Sequence, residues 1–369
     1  MIVLKRVKPI PYSGVVIPAA SLVSGLILAT IILWALKGIP PVALFWNIIE
    51  SFKAPSVVKD FLILSLVGIA LLVSFTGAVW NIGGEGQIHM GMMIGTYIAL
   101  FTALANIPIL AKIVIVIAAA ILGSLWAALA GVLRAYVNID EVPITLMLNY
   151  IAYYILDILV YGPWKGKYTY GYIRTDEIPY DLWFVRIKPS TATIEAVILF
   201  VLVFAGAWFL LKNTSIGLRI RVLGSNPQIL RSAGISVPLT IVIALAISGG
   251  IAGIVGAVYL LGDTHRLSYP LEEHTANYGY LGILVAWLSM LDLKAIPVAA
   301  YIVSALRNTG IMLQIAKLGG IEIMLIFIGS VLLTYTIVSV MSEYTIKIVL
   351  PTRKTSEEEA VEKKEVVKK

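Results

Sequence analysis

The sequence predicts an all-α, polytopic membrane protein with about ten transmembrane helices, some of them short or broken. Three observations carry this. Of the 369 residues, 59% are apolar and only 13% are charged, whereas a soluble domain averages about a quarter charged. Several apolar runs exceed the roughly 18 residues needed to span a bilayer. The basic residues gather in short loops beside those runs, where the positive-inside rule expects them.

The mean hydropathy is +0.93. There is no cysteine, which excludes disulfides, iron–sulfur clusters and thiolate metal sites. The net charge of +7 comes without a basic stripe interleaved with aromatics, so nucleic acid is not an expected partner. His89, His265 and His274 are the whole histidine complement, and no metal site is expected.

Taken in order, the apolar windows fall at 14–36, 61–80, 88–105, 113–133, 142–162, 193–211, 237–261, 277–291, 295–313 and 321–342. The first is too long for the apolar region of a signal peptide and reads as a span. Those at 88–105, 277–291 and 295–313 are short or interrupted, which predicts breaks or tilts. Ten crossings place three features on one side: Lys5, Arg6 and Lys8; the loop 212–236; and the charged tail. That loop carries Lys212, Arg219, Arg221 and Arg231 and no acid, so this side reads as cytoplasmic. The opposite side receives loop 163–192, rich in aromatics (Trp164, Tyr168, Tyr170, Tyr172, Tyr180, Trp183, Phe184). It reads as an interfacial belt with a lid, or else as a docking surface for an external partner. The expected organisation is a membrane domain over 1–342 and a solvated cytoplasmic tail over 343–369, disordered or marginally helical.

One stretch interrupts the apolar pattern. NIGGEGQIHMG, Asn81 to Gly91, sets Asn81, Glu85, Gln87 and His89 among four glycines. Non-helical backbone at membrane depth is tolerated only inside protein or beside a watery cavity, and glycines permit both the break and close approach to a ligand. A carboxylate there marks a functional site by default. Asn81 and Gln87 can donate and accept, which suits sugar hydroxyls or base edges. These groups either satisfy one another or line a path. Asn277-Tyr-Gly-Tyr is a weaker counterpart in the second half, with Tyr278 and Tyr280 as stacking surfaces, since broken helices in both halves commonly frame a transporter site. Asn149, Asp157, Arg307 and Asn308 are further intramembrane polar residues, and Asp157 with Arg307 is a candidate ion pair. Glu85 and His89 lie four apart, but two ligands without a third make no metal site.

The segment GLRIRVLGSNPQILRSAGISV, Gly217 to Val237, is the most informative. Asn226 and Pro227 form an N-cap and first-turn pair, and Gly234 supplies a left-handed stop. Between them lie about two turns, Pro227 to Ala233, too few to be stable alone in water. Such a helix reads as a surface that presses on something else. The segment resembles the cytoplasmic loop of bacterial and archaeal ABC importer permeases, the type handling branched-chain amino acids, ribose, simple sugars and nucleosides. The resemblance implies that it carries the coupling helix, which sits in a cleft of the ATPase, with Arg219, Arg221, Gly224, Asn226, Pro227, Arg231, Ala233 and Gly234 matching the motif.

NIGGEGQ, EVPITLMLNYIA (Glu141 to Ala152) and NYGYLGILVAWL (Asn277 to Leu288) resemble the nucleoside and simple-sugar branch. Pro143 departs from the pattern and could alter the tilt of its span. SGGIAGIVGA, Ser248 to Ala257, is also family-like; independently, Gly249 and Gly253 form a GxxxG packing face extended by Gly250, Gly256 and Ala257.

The resemblance covers roughly residues 60 to 342 and implies a plasma-membrane permease with both termini cytoplasmic. It would work with ABC ATPase subunits, a second like or unlike permease subunit and an extracellular solute-binding protein. The substrate path would involve Asn81, Glu85, Gln87, Asn149, Asn277, Tyr278 and Tyr280. The chain has no GxxxxGK[ST] phosphate loop, so it is not expected to be an enzyme or to hold a cofactor, ATP being bound by the partner ATPase. The rival reading is an ion-coupled secondary transporter in which Glu85 or Asp157 carries the proton. An intramembrane enzyme is a third class, for which no HExxH is present.

Overall fold

The computed structural model describes residues 2–6, 13–167, 171–274, 276–318 and 321–348. Each of the ten apolar windows contains a helix: α1 Ser13–Lys37, α3 Val57–Thr76, α4 Gly84–Phe101, α5 Pro108–Val137, α6 Glu141–Tyr161, α7 Ile194–Asn213, α10 Val237–Tyr259, α12 Tyr278–Leu288, α13 Ile296–Ile315 and α14 Ile321–Glu343. Eight of these are long and apolar enough to cross a membrane, α10 being continued by a π-turn to Thr264. The other two are α4, diluted by its polar start, and α12. With 11 residues, α12 is about 16 Å long, half a bilayer core. Between the main helices lie α2 Pro41–Lys53, α8 Ser215–Ser225, α9 Pro227–Ser232 and α11 Leu271–His274. The amphipathic α2, opened by Pro41, was not anticipated because its apolar stripe is too short to register as a span.

By compactness the chain divides into two units, Met1–Leu28 with Ser330–Lys369, and Ala29–Gly329. In the first, α14 lies against α1: the Thr334 hydroxyl donates to the Ser21 carbonyl at 2.7 Å. An antiparallel ribbon joins β1 Ile2–Arg6 to β2 Tyr344–Ile348, so these two segments lie side by side. The expectation of a disordered or helical tail is thus corrected for 344–348, while 349–369 lie outside the described residues.

In the second unit α3 is the axis. Leu62 to Phe75 are all buried, as expected of a helix apolar all round, and α3 packs on α7, α10, α12 and α13. The closest packing is between α10, α5 and α4. A β-carbon added to Gly253 would strike the carbonyl oxygen of Ala119, and one on Gly249 that of Gly123; the Gly256 counterpart meets the carbonyl of Ile88. The GxxxG face therefore brings backbones into contact, as its small residues predicted.

Loop 163–192 is tied down rather than free. Its amides at Thr175 and Ile178 donate to the Leu267 and His265 carbonyls, each at 2.9 Å, and Trp183 stacks on His265 at 3.7 Å. Tyr168 and Tyr170 lie outside the described residues.

Candidate functional site

The polar break is narrower than the sequence suggests. α3 stops at Thr76, Ala78 takes a left-handed φ of 52°, and α4 already begins at Gly84. Only residues 77–83 are non-helical, and Glu85 and Gln87 ride on the first turn of α4. The glycines inside α4 serve packing. The Gly86 Cα lies against Asn149, and that of Gly91 against the Gly253 carbonyl, where a side chain would collide.

The side chains of the break close on one another. Asn81 and Gln87 exchange amide hydrogen bonds at 3.0 and 2.9 Å. Asn81 also donates to Ser248 on α10 at 2.9 Å and accepts from the Gly83 amide at 3.0 Å. From α6, Asn149 accepts from the Gly86 amide at 2.8 Å and donates to the Ile82 carbonyl at 3.0 Å. The Thr145 hydroxyl accepts from the Ile82 amide at 3.2 Å. Asn149 further donates to the Tyr280 hydroxyl at 3.2 Å, which links the network to α12.

Glu85 joins the two halves directly. Its carboxylate accepts from the Gly279 amide at 2.5 Å, and Gly279 has no room for a β-carbon against the Glu85 backbone. His89 donates from Nδ1 to the Glu85 carbonyl at 2.8 Å, with Nδ1 3.9 Å from the carboxylate. Asn277 caps α12 with a left-handed φ of 57°. Asn81, Glu85, Gln87, Asn149 and Tyr278 are buried, while Asn277 and Tyr280 are partly exposed. In this conformation the network holds the break together, and its outer edge is the Asn149–Tyr280 pair.

A second buried polar cluster was missed. Arg307 pairs not with Asp157 but with Asp60, Nη1 to Oδ2 at 2.6 Å. The Tyr278 hydroxyl donates to the other Asp60 oxygen at 2.5 Å, and the guanidinium sits 4.9 Å over the Tyr278 ring. Asp157 instead accepts from the Leu271 amide at 2.8 Å. The signal was present: Asp60 is the sole acid of α3, one residue before the apolar window that was read as starting at 61.

The loop 212–236 folds as its caps predicted. The Asn226 side chain accepts from the Gln228 amide at 3.0 Å, Pro227 opens α9, and Gly234 has φ 72°. Thr214 caps α8 in the same way. Arg221, Asn226, Pro227, Arg231 and Gly234 are exposed, and Arg219 and Gly224 half-buried. Leu230 turns inward into a cluster with Val79, Leu223, Ile144 and Leu148, so α9 rests on residues adjoining the break. A β-carbon on Gly224 would strike the Thr76 carbonyl. A cavity of about 390 Å³ lies between them, lined by Val79, Arg134, Glu141, Leu223, Pro227 and Arg231. Across it Glu141 accepts from Arg134 at 2.7 Å and from the Trp80 amide at 3.1 Å. Asp140, three residues before Pro143 and one before α6, caps that helix through the Val142 amide.

Among the described residues no group of three or more His, Asp or Glu could hold a metal ion. What the arrangement offers is a bundle with an interrupted helix pair at its centre and a short capped helix pressed against the interruption, the layout of a membrane transport protein. The chain belongs to the family described as branched-chain amino acid transport system, permease component, whose profile matches residues 56–336. It is 25% identical over 308 residues to the guanosine ABC transporter permease protein NupP of Bacillus subtilis, covering 83% of this chain and 86% of that protein. It is 25% identical to the nucleoside ABC transporter permease protein NupB of Lactococcus lactis, with 82% and 87% covered. It is 24% identical to the glucose ABC transporter permease protein TsgB13 of Haloferax volcanii, with 69% and 68% covered. No solved structure matches. The chain is therefore a multi-pass membrane protein and a transport permease, as the sequence motifs implied.

Proposed function

We propose that this chain is the membrane subunit of an ABC importer that moves a nucleoside or simple sugar across the plasma membrane, with both termini cytoplasmic. It pairs with a second permease subunit, like or unlike. Separate ATPase subunits bind and hydrolyse ATP, and an extracellular protein delivers the solute. The chain itself catalyses no reaction and holds no cofactor. The solute classes come from the relatives, two of which are named for nucleosides and one for glucose.

One observation carries the reading: the backbone contact of Gly224 with Thr76, beside the break, together with Leu230 in the cluster containing Val79, Ile144 and Leu148. A push on α9 by an ATPase reaches residues 76–82 and α6 without a flexible element between. The Glu141 bridge from Arg134 to the Trp80 amide and the stack of Trp80 on Trp287 at 5.3 Å extend that contact to α12. A displacement there bears on the Asn81–Gln87, Asn149–Tyr280 and Glu85–Gly279 contacts together. In this reading Asn81, Glu85, Gln87, Asn277 and Tyr278 shape the wall of the path, and Asn149 with Tyr280 forms its edge.

The test is reconstitution in liposomes with and without the ATPase and the binding protein. ATP-dependent solute uptake that needs both partners is expected. Uptake driven by an ion gradient without the ATPase would instead establish the secondary-transporter reading. Asn226→Ala combined with Pro227→Gly is expected to lose ATPase association while the membrane part still elutes as a folded species.

A further inference from the structure

Helix α6 carries tyrosines where lipid cannot satisfy them. Its 21 residues are about 31 Å long, and Tyr150, the tenth, stands about 14 Å from the start, near mid-bilayer. Tyr161 ends the helix at interfacial depth, where tyrosine is ordinary. Tyr150 is 41% exposed and Tyr154 60%. Met147 and Ile158, on the same exposed face as Tyr154, are suited to lipid. A phenol facing hydrocarbon leaves a hydroxyl without a partner, at about 1–3 kcal/mol.

Tyr150 also stands beside the partly exposed Tyr280 edge of the network. The adjacent Asn149 holds the Gly86 amide and the partly exposed Tyr280 hydroxyl. The Tyr150 ring packs edge-on to Tyr153 at 6.0 Å, and Tyr153 edge-on to His89 at 4.9 Å. Tyr153 hydrogen-bonds Tyr280. The result is one exposed ring, Tyr150, seated on the buried Tyr153 and beside the partly exposed Tyr280, at membrane mid-depth and next to the break.

We propose that Tyr150 is a solute-contact residue: its ring stacks on the flat face of a nucleobase while the Tyr280 hydroxyl bonds the base edge. This rests on the importer reading and narrows its solute to a planar heterocyclic nucleoside. A base presents a π-face to Tyr150 and ring donors and acceptors to Tyr280, so both features of the patch are used. A hexose has no π-face, but it can lay its apolar C–H face on the ring and turn its hydroxyls to Tyr280, so glucose is the competitor that the transport test must exclude.

The experiment uses the full complex in liposomes, with guanosine and glucose as probes and Tyr150→Phe and Tyr150→Leu as variants. Stacking of a base on an aromatic side chain is worth about 1–3 kcal/mol, roughly 5- to 150-fold. Tyr150→Leu is therefore expected to lower guanosine kcat/KM at least about fivefold, with ATPase activity and subunit composition retained. Tyr150→Phe should stay within about twofold of the parent. A photoreactive azidoadenosine should label the α6 peptide in the unmodified complex, with guanosine but not glucose competing.

Unchanged guanosine uptake by Tyr150→Leu, or labelling that guanosine does not displace, overturns the proposal and makes this a lipid face. Loss of the second permease subunit from the Leu variant overturns it in favour of a subunit contact. ATP-driven uptake of glucose and not guanosine overturns it while leaving the importer reading intact. Failure of all ATP-driven uptake sinks the importer reading separately, and the photolabelling still decides the stack.

Discussion

Replacing Asp60 with Leu isolates the energetics of the cluster at the start of α3. Asp60 is 2% exposed and holds Arg307 at 2.6 Å and the Tyr278 hydroxyl at 2.5 Å. The substitution strands a guanidinium on α13 that is itself only 14% exposed. Removing one partner of a buried ion pair costs about 3–5 kcal/mol, because the other charge stays in a low dielectric. The stranded Tyr278 hydroxyl adds about 1–3 kcal/mol, part of which overlaps with the first loss. The cluster joins α3, α12 and α13, so thermal unfolding of the detergent-purified protein is the appropriate assay. Asp60→Leu should lower stability by about 4 kcal/mol. Asp60→Leu with Arg307→Met should recover at least half of that, since an apolar pair of similar volume replaces a buried ion pair at little cost. Additivity of the two single variants within about 0.5 kcal/mol would refute the reasoning, as it would show no coupling between them.

Three further outcomes are expected. Gly253→Ala drives a methyl group into the Ala119 carbonyl and should destabilise the α10–α5 contact by about 1–3 kcal/mol or more, read from thermal unfolding; a neutral result would mean the helices separate freely. Glu141→Ala frees both Arg134 and the Trp80 amide, and should cut ATP-driven transport several-fold more than ATPase activity if the bridge transmits the stroke; a proportional fall in both would contradict this. His265 has its pKa pushed down to about 4 by burial and secondarily by Arg186. Its folded value lies below the unfolded value of about 6.5, so the stability of the 171–187 and 260–268 layer should be complete above about pH 6.5. It should fall as the pH drops towards 4, because the unfolded chain binds the proton first. Fluorescence of Trp183, which stacks on His265, reports this, and His265→Asn should flatten the profile.

The spans, the packing face and the short capped helix were legible because each rests on local chemistry. Apolar length found the ten helices, the Asn226–Pro227 and Gly234 signals found α9, and the Gly249–Gly253 spacing found the close contact with α5. The break was legible as a place but not as a geometry. Gly83, Gly84 and Gly86 read as loosened backbone, yet Gly84 and Gly86 lie within α4, where Gly86 leaves room for Asn149. Glycine signals the absence of a side chain, and one sequence does not say whether the space is for a bend or for a neighbour.

What the sequence by itself determined was the membrane fold, the position of the polar interruption and the short capped helix of loop 212–236, because these follow from hydrophobic length, caps and motif over a few consecutive residues. Only the tertiary structure decided which polar groups meet. Asp60 lies 247 positions from Arg307, and Glu85 lies 194 from Gly279. A buried charge requires a partner but carries no mark of which one. That choice is made by helices packed side by side, where distance along the chain no longer counts.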